Sequence, residues 1–427
     1  MECIFKNVRI VDPQSTHHFK QRDVWIKNGK IFKVASNIIA PKNCKILQSK
    51  NSYLSPAWVD IACYGGEPGY EERETLDKLC NAALYGGYSR ICYMPNTNPA
   101  IHSKSEVHFI INKATPLGIY IHPIGSVSKN NESLEMSEIL QMHESGAVAF
   151  SEGNHGIQKS GFLKRVLEYL KLIPTSLLIQ HSSDEDLAPN AQVHESIETS
   201  NLGLRISPAL SEFTAVQRDI SILEYTESRM LINKISSAES VNLIRKSKKK
   251  LNGLYASVSI FNLCFTDSDM SEFSSHLKLL PPLRGFQDQK SLWLGLKDNT
   301  IDIIISDHTP INPELKDLEF QNAAFGAISL ETCFSGFVSL DSSDGNIEMW
   351  VHKTSINPRQ ILSLPSATIE EGADAELTWF DPSMKWIYKS ENVKSLSKNS
   401  PWINKELNGK ILAVYNKSQL FLTTNIN

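Results

Sequence analysis

A closed (β/α)8 barrel with additional β-structure at both chain ends is the α/β fold this sequence predicts, and three observations predict it. The middle of the chain alternates β-like and helix-like segments, the rhythm of parallel strands joined by crossover helices. Eight strand-like segments follow one another in that region. The length, 427 residues, accommodates a barrel of about 250 residues together with a modest second unit.

Taken in order, the stretch from Cys3 to about Leu54 reads as short alternating strands, such as Val24-Trp25-Ile26 and Ile31-Phe32-Lys33-Val34. Turns fall at Asp12-Pro13 and Lys27-Asn28-Gly29-Lys30. The barrel strands are then Trp58–Tyr64, Arg90–Met94, Tyr120–Gly125, Ala147–Ser151, Ser176–His181, Met230–Ile235, Leu254–Phe261 and Ile301–Ser306. Between them a helix is expected over Glu72–Leu84, ahead of the Gly86-Gly87 stop, and another opens at Ser237-Ala238-Glu239-Ser240. A second β-rich stretch begins near Ala367 and runs through Ala375–Pro382 to Gly409–Tyr415. No repeat of solenoid period and no low-complexity tract competes with this reading.

Composition narrows the function classes. Hydrophobic residues make up 41% and charged residues 21%, and the net charge is -4, so the chain carries no polyelectrolyte signature and nucleic acid is not an expected partner. The one dense basic run, Arg245-Lys246-Ser247-Lys248-Lys249-Lys250, follows the helical segment Ala238–Ile244 and reads as a solvated helix end whose cations suit the C-terminal dipole. Seven scattered cysteines (Cys3, Cys44, Cys63, Cys80, Cys92, Cys264, Cys333), without a CxxC pair, point to a reduced compartment. The start Met1-Glu2-Cys3-Ile4-Phe5-Lys6 lacks the pattern of a signal peptide, and no run of about eighteen apolar residues occurs. A cytoplasmic protein without a membrane partner is therefore expected.

In such a barrel the chemistry lies at the C-terminal ends of the strands, where the loops surround one mouth. The residues to weigh there are Ala62, Tyr64, Asn96, Glu152 to Asn154, His181, Lys234, Phe261-Asn262, Leu280 and Asp307. Five stretches carry a family resemblance. They are Pro56 to Tyr70, Cys92-Tyr93-Met94-Pro95-Asn96-Thr97-Asn98-Pro99, Pro281-Pro282-Leu283-Arg284 with Leu294 to Asp302, Ser306-Asp307-His308-Thr309-Pro310, and Phe325 to Thr332. In this order they resemble the dihydroorotase family of the amidohydrolase superfamily, in the subfamily with many bacterial members, over nearly the whole chain. The resemblance implies a TIM-type barrel over residues 55–365 and a small composite β-sandwich from residues 1–54 and 366–427.

It also implies a chemistry. Active members open or close the cyclic amide of dihydroorotate with zinc, which activates water while an aspartate after strand eight moves the proton. Position by position, the implied zinc set is largely absent here. The His-x-His pair after strand one corresponds to Ala62 and Tyr64, the first without a donor and the second a ligand only as phenolate. The strand-six histidine corresponds to Lys234, whereas the strand-five histidine is kept as His181 and the strand-eight aspartate as Asp307. The strand-four aspartate falls in Phe150-Ser151-Glu152-Gly153-Asn154-His155, where Glu152 is the available carboxylate, one place early. Among substrate positions Asn96, Phe325 and Gly326 are kept. The arginine that pairs with the substrate carboxylate corresponds to Gly66, and an asparagine and a histidine have become Leu280 and Ile311.

A carboxylate deprived of its metal is costly to bury unless paired. A Lys234–Asp307 salt bridge in place of the metal, with His181 and Tyr64 hydrogen-bonded nearby, is the expected arrangement. The plainer readings are that His181 is a vestigial core histidine, that His17-His18 is a surface turn, and that His308 is structural. A catalytic Asp307-His308 pair lacks an electrophile, and nothing adjacent favours Lys234 as an amine nucleophile over an ion pair. No Gly-x-Ser-x-Gly elbow, His-Glu-x-x-His or Walker loop supplies another site. Three readings follow from the resemblance. The first is a pseudoenzyme of pyrimidine biosynthesis with no metal cofactor and with Asp307 a vestigial base, acting as a structural or regulatory partner of aspartate transcarbamoylase or through self-association. The second is an active zinc-dependent cyclic amidohydrolase with rearranged ligands, His181, Asp307 and Glu152. The third is a small-molecule sensor that does not turn its ligand over.

Overall fold

Strands β1 (Cys3–Ile10), β2 (Gln21–Lys27), β3 (Lys30–Ala35), β4 (Lys45–Gln48) and β5 (Tyr53–Pro56) occupy the N-terminal stretch. The structure, a computed structural model, describes residues 2–42 and 44–424; Met1, Asn43 and residues 425–427 of the expected terminal segments lie outside the described residues. The β2–β3 hairpin turns at Asn28 and Gly29, both left-handed (φ 52° and 77°), the conformation a two-residue hairpin loop with this twist requires.

The barrel strands are β6 (Trp58–Cys63), β7 (Tyr88–Tyr93), β8 (Tyr120–Ser126), β9 (Ala149–Ser151), β10 (Leu178–His181), β13 (Met230–Asn233), β14 (Leu254–Ser259) and β15 (Ile303–Ile305), and a short pair, β11 (Val193–His194) with β12 (Ile206–Ser207), sits in the loop after β10. The eight barrel strands pair in parallel in the order β15-β14-β13-β10-β9-β8-β7-β6. They are continuous apolar runs because both faces are covered: every residue of β6 and β7 is buried. Residues such as Val59, Ile61, Cys92, Ile124, Ile179, Leu231 and Ile303 form the inner cluster, while their alternates pack against the helices. Between β15 and β6 a side chain helps close the ring. The Asp60 carboxylate accepts from Ser306 N (2.9 Å) and Ser306 Oγ (2.6 Å), and Tyr64 N donates to His308 O (2.9 Å).

Of the expected boundaries that shift, two have a side-chain cause, the first distant in sequence and the second local. The helix expected from Glu72 begins at Leu76, capped by Thr75, because the Glu74 carboxylate instead bonds Leu396 N (3.0 Å) and Ser395 Oγ. The strand from Leu254 ends at Ser259, whose hydroxyl accepts from Phe261 N and starts the helical turn Ile260–Cys264. Ser237 caps the helix Ala238–Ser247, accepting from Ser240 N. In the basic run that follows, Arg245 pairs with Asp298 (2.7 Å) and Lys248 with Asp302 (2.5 Å).

After the barrel, β16 (Leu377–Ile387), β17 (Glu406–Asn416) and β18 (Gln419–Leu422) join the N-terminal strands in one sheet of order β18-β17-β16-β5-β1-β2-β3, with β4 on β1. This sheet has its own core, including Phe5, Val24, Ile26, Trp379 and Leu412. It is tied to the barrel by Glu376, which pairs with Arg90 (2.8 Å) and Arg359 (2.6 Å). The seven cysteines are free thiols, and no helix among the described residues is long and apolar enough to cross a membrane.

Candidate functional site at the barrel mouth

Lys234 directly follows β13 and Asp307 lies two residues beyond β15, so both project at the C-terminal end of the barrel. Each has a left-handed backbone (φ 59° and 56°), which costs roughly 1–2 kcal/mol for a residue with a Cβ. The Lys234 conformation is supported by its N–H donating to Ser257 Oγ (3.0 Å). Lys234 Nζ stands 3.1 Å from Asp307 Oδ1 and 3.3 Å from Asn154 Oδ1, and lies 5.3 Å from the centre of the Tyr64 ring. Ser259 Oγ donates to Asp307 Oδ2 (3.0 Å). Both charged side chains are almost wholly excluded from solvent, 1% and 6% exposed. Burial raises the Asp307 carboxyl above its ordinary range, and the Lys234 charge pulls it back.

Ala62 and Tyr64 face the inner cluster of the barrel. The expected hydrogen bond from Tyr64 does not form, its Oη being buried without a partner, and His181 bonds the Asn233 backbone while its Nδ1 is buried without a partner. Tyr64 meets Lys234 with its ring and not through a hydrogen bond from its hydroxyl. Burial, and then the Lys234 charge, hold the His181 ring at about 3, so it is neutral near pH 7. Burial and then Asp307 push the Tyr64 phenol well above its ordinary value.

Glu152 does not join His181 and Asp307. Its Oε1 accepts from Ser133 Oγ (3.1 Å) in the loop after β8, and the left-handed turn at Gly153 (φ 74°) sends Asn154 toward Lys234 instead. Among the described residues no three His, Cys, Asp or Glu side chains converge as a metal set. Zinc takes three or four nitrogen, sulfur or carboxylate donors at about 2.0–2.3 Å. A methyl group, a neutral phenol and an ammonium at three of the expected positions do not fit that requirement.

The expected substrate positions lie around the same mouth. A Cβ on Gly66 would lie 2.0 Å from Tyr70 O and 2.6 Å from Glu74 O, so no side chain fits there without moving the loop. Leu280 and Phe325 line a cavity of about 470 Å³ together with Asn154, His181 and Arg284. Asn96 is half-buried, its Oδ1 without a partner. Gly326 (φ 126°) has its N–H on Lys278 O (2.9 Å), and a Cβ there would strike Thr309 at 2.5 Å. Ile311 is buried. His308 is structural: its Nδ1 accepts from Ser329 N (3.2 Å) and Leu330 N (3.3 Å).

Sequence reasoning missed Ser259 as a partner of Asp307, and Asn399. The Asn399 side chain donates to Thr309 O (3.1 Å) and Gly326 O (3.2 Å) from a segment far along the chain. Ser259 ends a strand, a position that signals exposure to the mouth. Nothing local marks Asn399. Arg284, at the end of the Pro281-Pro282-Leu283-Arg284 stretch, lies 3.7 Å from the buried Glu212 and donates to Ser236 Oγ (2.6 Å), giving the mouth a neutralised polar wall.

Residues 52–240 match a family model described as dihydro-orotase-like. Along its length the chain is similar to the dihydroorotase of Elusimicrobium minutum (strain Pei191), 35% identical over 416 residues, covering 96% of this chain and 95% of that one. It is similar also to the dihydroorotase of Syntrophus aciditrophicus (strain SB), 32% identical over 415 residues, covering 96% and 97%. In fold it is similar to the L-hydantoinase (dihydropyrimidinase) from Arthrobacter aurescens, with a TM-score of 0.85, 20% identity, and 100% and 97% of the two chains covered. The barrel is thus of the amidohydrolase type.

Proposed function

Given that the chain belongs to the dihydroorotase-like family of the amidohydrolase superfamily, we propose that it serves pyrimidine biosynthesis as a non-catalytic barrel in which the Lys234–Asp307 ion pair stands where relatives of this type hold zinc. The observation that carries this reading is the Lys234 ammonium, 3.1 Å from the carboxylate that a metal would otherwise neutralise. A cation covalently fixed to the chain answers the charge of Asp307 and offers no Lewis-acid site for water. With Gly66 unable to carry a side chain, the anion clamp for a carboxylate substrate is missing too. On this reading the protein acts through its surface, with aspartate transcarbamoylase as the proposed partner.

A second reading is favoured by the comparisons. The two relatives at 35% and 32% identity are named dihydroorotase, and by name they speak for an active cyclic-amide hydrolase. On that reading zinc is recruited by ligands rearranged from those described above, since Glu152 faces Ser133 rather than His181 and Asp307.

Metal analysis of protein purified without chelator, joined to a dihydroorotate turnover assay with and without added zinc, separates the two. Substoichiometric zinc and no turnover are expected. One zinc per chain with zinc-dependent turnover would replace the first reading with the second.

A further inference from the structure

On the rim of the same mouth the loops after β10, β14 and β15 meet in a second concavity. Leu202, Leu204, Phe273, Leu318 and Phe320 line a groove of about 460 Å³. Leu202 and Leu204 rest on the barrel core and Phe320 is buried, but Phe273 and Leu318 remain 46% and 45% exposed. Close by, the helical turn Ile197–Ser200 packs on the turn Asp267–Glu272, and Ile197 is 87% exposed.

The floor of the groove is firmly held. Lys278 Nζ donates to Phe320 O (2.8 Å) and Gln321 O (3.0 Å), and the buried Lys316 Nζ donates to Ala324 O (2.8 Å), so two lysine amino groups pin the loop from beneath. A pinned loop presenting large apolar side chains to water is a preorganised binding surface, because docking does not have to order it first.

The charge around the groove is one-sided. Glu198, Glu272, Asp317 and Glu319 are exposed, and none takes part in an ion pair among the described residues. By contrast Glu168, Glu227 and Asp298 on the outer helices each meet a Lys or Arg. Arg205 is the exposed cation of the same stretch. Carboxylates left unpaired around an apolar groove repel one another and repel anionic surfaces, and they are relieved by a partner that brings cations.

We propose that this groove docks a segment of a partner protein whose apolar side chains are flanked by lysine or arginine. Apolar anchors fill the hollow between Phe273 and Leu318, and the flanking cations meet the four carboxylates. The proposal goes beyond the function proposed above and does not depend on whether the mouth turns over a substrate.

The test is fluorescence anisotropy of a labelled amphipathic peptide of leucine and lysine in helical spacing, titrated with the full chain, beside a peptide with glutamate in place of lysine. The lysine peptide is expected to bind and the glutamate peptide not. Binding should weaken roughly tenfold or more in F273S/L318S and, independently, in E272K/E319K, and it should fall at high salt. Circular dichroism checks that each pair still folds, and the charge pair alone keeps the test valid if the serine pair does not. No binding of the lysine peptide, or equal binding by both variant pairs, overturns the proposal. A wild-type dimer in sedimentation velocity that both variant pairs convert to monomer also overturns it, by assigning the groove to a second copy of this chain. Because no substrate is present, detection of zinc-dependent turnover would remove the proposed function and leave this result untouched.

Discussion

Lys234 and Asp307, each in a left-handed backbone conformation, meet at 3.1 Å across the end of the barrel with almost no exposure to solvent. Desolvating two charges costs several kcal/mol apiece, and attraction at that distance recovers it only when the remaining donors and acceptors are also satisfied. Asn154 and Ser259 complete that shell from two further strand ends.

Breaking this pair from one side leaves an uncompensated buried charge. Lys234→Met is expected to cost about 3–5 kcal/mol, read as a shift in urea denaturation midpoint. The double variant Lys234→Met/Asp307→Asn should recover more than half of that, since asparagine tolerates the left-handed backbone. Simple additivity of the two single effects would show that the residues are not coupled.

Rebuilding the donor set should rebuild metal affinity. In Ala62→His/Tyr64→His/Lys234→His, three imidazoles join His181 and Asp307 at one mouth. Stoichiometric cobalt or zinc is expected in the variant by elemental analysis, with a cobalt absorption band absent from the wild type. A variant that folds but stays metal-free would show that the backbone of the mouth, and not only its side chains, has departed from a metal site.

An arginine at position 66 should not be accommodated by a single change. Gly66→Arg places a Cβ 2.0 Å from Tyr70 O, so the loop 65–74 has to move, at a cost of about 1–3 kcal/mol or more. Thermal unfolding of G66R and of G66A should show similar losses, because the clash begins at Cβ. Destabilisation in the arginine variant alone would put the problem in the long side chain.

Acid should loosen the joint between sheet and barrel. Burial pushes the Glu376 carboxyl up, but Arg359 and Arg90 outweigh it and lower it from 4.5 to about 2. A carboxyl depressed in the folded state contributes stability that is fully present above pH 4.5 and is lost as pH falls toward 2. The contribution is about 3 kcal/mol. Urea titrations between pH 6 and pH 3 should show a declining stability whose slope is reduced in Glu376→Gln. An unchanged slope in that variant would assign the acid loss to other carboxylates.

Much of the fold was legible because strands buried on both faces print themselves as continuous apolar runs, as in Trp58–Cys63 and Tyr88–Tyr93. Short-range chemistry was legible too. The cap at Ser237 and the hairpin at Asn28-Gly29 need only neighbours in sequence. The helix expected from Glu72 was not, because the Glu74 carboxylate is bonded to Ser395 and Leu396, more than three hundred positions away.

By itself the sequence determined which chemical groups stand at the mouth. Alanine at 62 has no donor and lysine at 234 ends in an amine on a flexible stem rather than a ring nitrogen, whatever the chain does elsewhere. Only the tertiary structure decided which groups meet. The turn at Gly153 turned Glu152 to Ser133 and Asn154 to Lys234, and the approach of Tyr70 O and Glu74 O to Gly66 left no room there for a side chain. The physical reason is that donor type belongs to a side chain, whereas a 3.1 Å contact between residues 73 positions apart depends on every backbone turn that brings their strand ends to one rim.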